Sequence, residues 1–181
     1  MSAVHAFEDL FRVDVHPQVR ALRRLLYCGE WIESHALHIY LLHAPDFLGY
    51  PSAVELARDH RELVADGLRL KKAGNRLLSV LGGRPIHPVS VRVGGFSRMP
   101  LREELTALRP SLEEALRLSQ ATVDIVAGLA APAFEREPRL VALRHATQYP
   151  LNDGRIVSSA GVDLAPAAWG EAFHEVQVPW S

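Results

Sequence analysis

The side chains best equipped for chemistry crowd onto one stretch of the chain: Cys28, Ser34, His35, His38 and His43. Cys28 and His35 are seven residues apart and His38 follows three later, a spacing that lets a helix present all three along one face. A thiolate with two imidazoles suits zinc. A zinc site wants three or four protein ligands, however, and no fourth residue follows at diagnostic spacing. Isolated histidines on long helices are more commonly hydrogen-bonded packing residues. Cys28, His35 and His38 therefore stand as a minor metal-binding alternative beside a packing role.

A di-iron carboxylate bundle needs two Glu-x-x-His pairs facing inward. One such pair is present, Glu171 and His174, which argues against that chemistry. No Walker loop, Gly-x-Gly-x-x-Gly, Gly-x-Ser-x-Gly or Cys-x-x-Cys occurs. The segment Gly82 to Pro88, Gly-Gly-Arg-Pro-Ile-His-Pro, followed by Val93 to Phe96, Val-Gly-Gly-Phe, is unusual in another way. Its glycine pairs allow close backbone approach, and its prolines stiffen the path that aims Arg84 and His87. Such a loop serves either as a tight connection or as a surface built to sit against something.

These residues need elements to hold them. From Pro17 to about Leu48 the apolar positions Val19, Leu22, Leu25, Leu26, Ile32, Leu37, Tyr40 and Leu41 recur at threes and fours, which predicts one long helix ended by Pro45 and the Gly49, Tyr50, Pro51 cluster. Ser52 caps a second helix running to about Leu81, stopped by Gly82 and Gly83. The two form an antiparallel hairpin over residues 17–81. Residues 82–100 read as a Gly/Pro-rich loop with short extended pieces at Val89, Val91 and Val93. Residues 101–129 return to helical spacing, with Glu103 and Glu104 at the positive end of the dipole. Residues 130–181 read as a small α/β piece, with strands at Leu140 to Leu143 and Arg155 to Ser158 around the turn Asn152, Asp153, Gly154, then a short helix over Pro166 to Glu175. The fold class is mainly α: long antiparallel helices, a Gly/Pro-rich loop and a small β element near the C-terminus.

Composition narrows the partners. A length of 181 residues with 48% hydrophobic and 23% charged residues describes a packed globular chain. A net charge of -1 gives no broad attraction to nucleic acid or an anionic membrane. The longest apolar runs, Ile39 to Leu42 and Ile125 to Pro132, fall far short of the roughly 20 residues that span a bilayer. Met1 to Arg12 does not read as a secretory signal, and a single cysteine fits a reducing cytoplasm.

Three ordered segments carry a family likeness. Leu22 to Tyr50 resembles the helix that follows the first metal-binding motif of [NiFe]-hydrogenase large (alpha) subunits. Gly82 to Phe96 is similar to that family's Gly-Arg-x-x-His-Pro segment with its trailing glycine pair, and Tyr149 to Ser159 resembles the cytoplasmic branch linked to NAD(P), coenzyme F420 or sulfur. The resemblance implies reversible H2 oxidation, with electrons passing through the iron-sulfur clusters of a small subunit to a soluble carrier. It implies a Ni-Fe centre held by two cysteine pairs, one near each end of the complete polypeptide. Cys28 matches neither pair, so no cofactor is expected in this chain. What carries over is supporting: Ser34, His35 and His38 beside the bimetallic site, and Arg84 and His87 in a loop facing the small subunit. On this reading residues 1–181 are the central part of a large-subunit domain, an internal fragment inactive by itself. The alternative is a metal-free helical scaffold or interaction module derived from the family.

Overall fold

The computed structural model of the chain describes residues 1–130 and 133–180, so the end of the apolar run at Ile125 to Pro132, and Ser181, lie outside the described residues. The chain divides into two compact units, Met1–Ala131 and Pro132–Ser181.

The first unit opens with α1 (Ser2–Leu10) and then α2 (Pro17–Leu37), where Pro17 sits in the first turn and loses no helical bond. A π-helical turn, His38–His43, leads into α3 (Ala44–Leu48), and α4 (Ala53–Asp59) and α5 (Arg61–Gly82) run back along α2. The direction follows from side-chain meetings. Gly82 lies against Leu26, Gly29 against Leu77, Gly74 against Glu33 and Gly67 against Tyr40, so positions rise along α2 while they fall along α5. The expected antiparallel hairpin is therefore present. Its axes come close because α5 presents glycines: a Cβ on Gly74 would stand 2.5 Å from the Glu33 nitrogen and 2.7 Å from the Gly29 oxygen.

The expected single helix from Pro17 to Leu48 is corrected by the π-helical turn. Pro45 has no N–H for the Leu41 carbonyl, and in a regular α-helix its ring would strike that carbonyl. The backbone widens just upstream, where the Ala44 N–H bonds the Ile39 carbonyl, five residues back. The second expected helix has its Ser52 cap, the hydroxyl accepting from the Val54 N–H at 3.1 Å, but breaks at His60. There Tyr50 donates to Asp59 at 3.0 Å and meets the His60 ring edge-on, pinning a corner. Gly83, at φ 83°, ends α5 in the left-handed conformation that glycine adopts without strain.

The loop that follows folds into a small hairpin, β1 (Val91–Arg92) paired antiparallel with β2 (Gly95–Phe96). The expected helix over 101–129 is two helices, α6 (Arg102–Thr106) and α7 (Arg109–Ala127), because Pro110 fits a first turn and not a helix interior. Glu104 accepts the Leu101 N–H at 2.8 Å, as its place at the helix start implies. Leu26, Leu77, Leu78, Leu81 and Leu108 form the main core, each leucine contributing roughly 1.5–3 kcal/mol by burial.

The second unit holds β3 (Val141–Arg144), β4 (Arg155–Ser158) and β5 (Asp163–Leu164) in one antiparallel sheet of order β3-β4-β5. β4 has the bounds read from sequence, and β3 lies one residue beyond the expected Leu140 to Leu143. β5 is additional, tied in by Arg144 and Arg155, which both reach Asp163. The helix expected over Pro166 to Glu175 shortens to a 3-10 turn, Pro166–Ala168, and α8 (Trp169–Ala172), closed by Trp169 stacking on Phe173 at 4.2 Å.

Candidate functional site

The candidate residues of the first hairpin lie on the outer side of α2 and its π-helical extension. Ser34, His35 and His38 are exposed, and Cys28 is half-buried. The buried face of α2 takes Val19, Arg23, Leu26, Gly29 and Ala36, which leaves Ser34 and His35 to face outward. The His35 ring stacks on Trp31 with centroids 5.6 Å apart and rims a hollow of about 300 Å³ shared with Ile39, Tyr40, Thr122 and Val123. His38 turns the other way and meets His43, centroids 4.1 Å apart and rings nearly perpendicular. The backbone carbonyl of Ser34 accepts the His38 N–H.

On the far side of Tyr40 lies a second hollow of about 170 Å³, apolar and lined by Ala44, Phe47, Leu63, Ile125, Val126 and the His43 ring. Between the two hollows the Tyr40 hydroxyl and Thr122 Oγ1 are 2.6 Å apart, and Thr122 donates to the Leu118 carbonyl at 2.7 Å. That assignment leaves Tyr40 as the donor to Thr122. The Tyr40 and Thr122 hydroxyls are thereby both satisfied.

Arg84 and His87 are exposed and tied to each other, the Arg84 Nε donating to the His87 carbonyl, while His87 holds φ 51°. Their loop packs at the level of Leu26, since Gly82 touches both Leu26 and Pro88. Nine helical residues separate Leu26 from His35, a rise of about 14 Å. The two candidate groups are therefore separate features of one hairpin.

A third polar cluster escaped the sequence reading. Glu8 of α1 and Arg23 of α2 form a buried two-pronged pair, with Nη1 to Oε2 at 2.7 Å and Nη2 to Oε1 at 2.6 Å. The same carboxylate accepts the Gly94 N–H at 2.7 Å, and Arg23 donates to the Arg92 carbonyl at 2.9 Å. Hydrogen bonding from Arg23 holds the Glu8 carboxyl below its ordinary range; burial opposes this, and the Gly94 N–H assists. His5 nearby is held below its ordinary value by burial, with the Arg23 charge adding to it. The signal was available: Arg23 lies four residues after Val19 and three before Leu26, on the apolar stripe itself. Across the hairpin, Lys71 and Glu33 make a second, half-buried pair.

Nickel bound beside low-spin iron calls for soft thiolate ligands. Cys28 is the sequence's single cysteine, and among the described residues no three His, Cys, Asp or Glu side chains gather as a metal-holding group. The residues present do not fit a Ni-Fe centre, nor do Cys28, His35 and His38 come together for zinc. Among the described residues no helix is long and apolar enough to cross a membrane.

No family model matches the chain. The alpha subunit of sulfhydrogenase 2 from Pyrococcus furiosus is 41% identical over 127 residues, covering 70% of this chain and 31% of that protein. Its counterpart in sulfhydrogenase 1 of the same organism is 36% identical over 129 residues, covering 71% of this chain and 30% of that protein. The alpha subunit of the coenzyme F420 hydrogenase from Methanothermobacter thermautotrophicus is 28% identical over 129 residues, covering 65% of this chain and 29% of that protein. The chain thus spans about a third of the length of these relatives. Among solved structures, an NAD+-reducing [NiFe]-hydrogenase in the H2-reduced state is similar with a TM-score of 0.82 at 26% identity, covering 92% of this chain and 42% of that one.

Proposed function

We propose that this chain, a homologue of hydrogenase alpha (large) subunits, is a segment of a nickel-dependent hydrogenase large subunit of the cytoplasm, inactive by itself. In that setting H2 is reversibly oxidised and electrons pass through an iron-sulfur small subunit to a soluble carrier. The observation that carries this reading is the 41% identity to the alpha chain of a sulfhydrogenase over 70% of this chain.

Within the reading, Ser34 and His35 of α2 and His38 of the π-helical turn act as hydrogen-bonding groups around a metal centre whose thiolates come from elsewhere. Ser34 donates or accepts through a neutral hydroxyl and brings no charge. Arg84 and His87, with directions set by their own loop contact, face the small subunit. The chain's residues orient and enclose; they do not ligate, because one cysteine cannot supply four thiolates. That single-cysteine composition also favours a second reading, a metal-free helical scaffold or interaction module derived from the same family.

The test is to purify the chain alone and together with an iron-sulfur small subunit, measuring nickel by elemental analysis, H2-dependent dye reduction and complex formation. The expected result is no nickel and no activity in the isolated chain, with a complex that Arg84→Ala weakens about tenfold, the loss of one charged interface contact. Stoichiometric nickel in the isolated chain would overturn this reading. Failure to bind any such subunit would favour the module.

A further inference from the structure

His38 and His43 are five residues apart, and in an α-helix five residues turn about 140° past one full revolution, which puts them on different faces. The wider π-helical turn reduces that offset. Its hydrogen bonds reach five residues back instead of four, as the Ala44 N–H to Ile39 carbonyl bond does here, so each residue turns through a smaller angle. The two rings therefore meet, with centroids 4.1 Å apart and planes at 85°. Both residues are exposed, and among the described residues neither ring has a hydrogen-bond partner that would occupy its nitrogens.

We propose that His38 and His43 form a two-imidazole chelate for a borderline divalent transition-metal ion of the Cu2+, Ni2+ or Zn2+ class, with water completing its coordination. Neutral imidazole is the ligand such ions favour, while Mg2+ and Ca2+ prefer oxygen donors. Capture by the first ring presents the second at high effective concentration, so the pair binds far more tightly than either ring alone. Among the described residues no third His, Cys, Asp or Glu joins the pair. The site is accordingly open and exchangeable, unlike a closed structural zinc site. It is also unlike a thiolate-held centre, since it uses no sulfur and Cys28 lies ten residues before His38. Because the His43 ring lines the apolar hollow beside Phe47 and Val126, an ion held here fixes one wall of that hollow as well as the turn itself.

Cu2+ is the probe of choice, standing highest in the affinity order and reporting its equatorial nitrogens by electron paramagnetic resonance. The untagged 181-residue chain is titrated with Cu2+ against a weak competing chelator, with helicity followed by circular dichroism. The expected result is one tight ion per chain showing two coordinated nitrogens. His38→Gln and His43→Gln each lower affinity by about tenfold or more and leave one nitrogen, the loss expected when a chelate becomes a single contact. His174→Gln, an exposed histidine of the second unit, leaves affinity and spectrum unchanged. Tight binding that survives both His38→Gln and His43→Gln overturns the assignment, as does a chain with no tight site.

Discussion

Arg23 is an arginine placed where a leucine would fit, and the structure accounts for it through Glu8, Gly94 and Arg92. Two charges taken out of water are stabilising only while they answer each other, and removing one leaves the other buried and unpaired. Glu8→Gln keeps the side chain's shape and loses its charge, so it is expected to lower stability by about 3 kcal/mol, read by urea unfolding at pH 7. The pH dependence has a definite sign. The folded carboxyl is held below its ordinary value, so the unfolded chain binds the proton more readily. The pair's contribution is therefore fully present above the ordinary carboxylate range, near pH 4, and is lost as the pH falls through the lower folded value. Unfolding midpoints measured from pH 7 down to pH 3 should fall for the native chain and fall less for the Glu8→Gln variant. Equal slopes would show that Glu8 is not the group responsible.

The helices α2 and α5 pack through glycine, and that gives the hairpin its sharpest mechanical prediction. A Cβ on Gly74 would press into the Glu33 backbone nitrogen at 2.5 Å, and backbone cannot rotate aside as a side-chain tip can. Gly74→Ala should cost roughly 2–3 kcal/mol by forcing the helices apart, even though alanine is the better helix former. Gly170→Ala, where nothing lies within 4 Å, should be neutral or slightly stabilising. Chemical denaturation of the two variants side by side separates packing from propensity. Much of this element was legible beforehand: the threes and fours of Val19 to Leu41, the Ser52 cap and the Gly82, Gly83 stop are local signals, and local contacts decide them. The π-helical turn, the corner at His60 and the break before Pro110 were not, because each is a departure of a few residues that leaves the apolar spacing almost intact. Pro45 and Pro110 were the available warnings. The candidate site divided the same way, since the histidines could be named from the sequence, whereas the meeting of His38 with His43 depends on a backbone turn that spacing alone does not show.

Over the whole molecule, charge and apolar surface act together. With 20 basic and 21 acidic residues the chain carries almost no net repulsion between copies. Yet α7 leaves Leu116 at 61% and Val123 at 67% exposed, seven residues apart and so on one helical face, with Val126 exposed nearby. Large apolar side chains exposed along one face of a near-neutral surface favour contact with another apolar surface whenever one is in reach. The chain alone is therefore expected to self-associate as its concentration rises, seen by sedimentation velocity. Leu116→Glu with Val123→Glu introduces two like charges on that face without disturbing the buried side of α7, where Ala115 and Thr122 pack. The double variant should keep its helicity and move the onset of association to at least about tenfold higher concentration, equivalent to about 1.4 kcal/mol of lost contact energy. Association that persists unchanged in the double variant would place the sticky surface elsewhere, with the exposed Phe7, Leu10 and Phe11 of the N-terminal segment as the next face to charge.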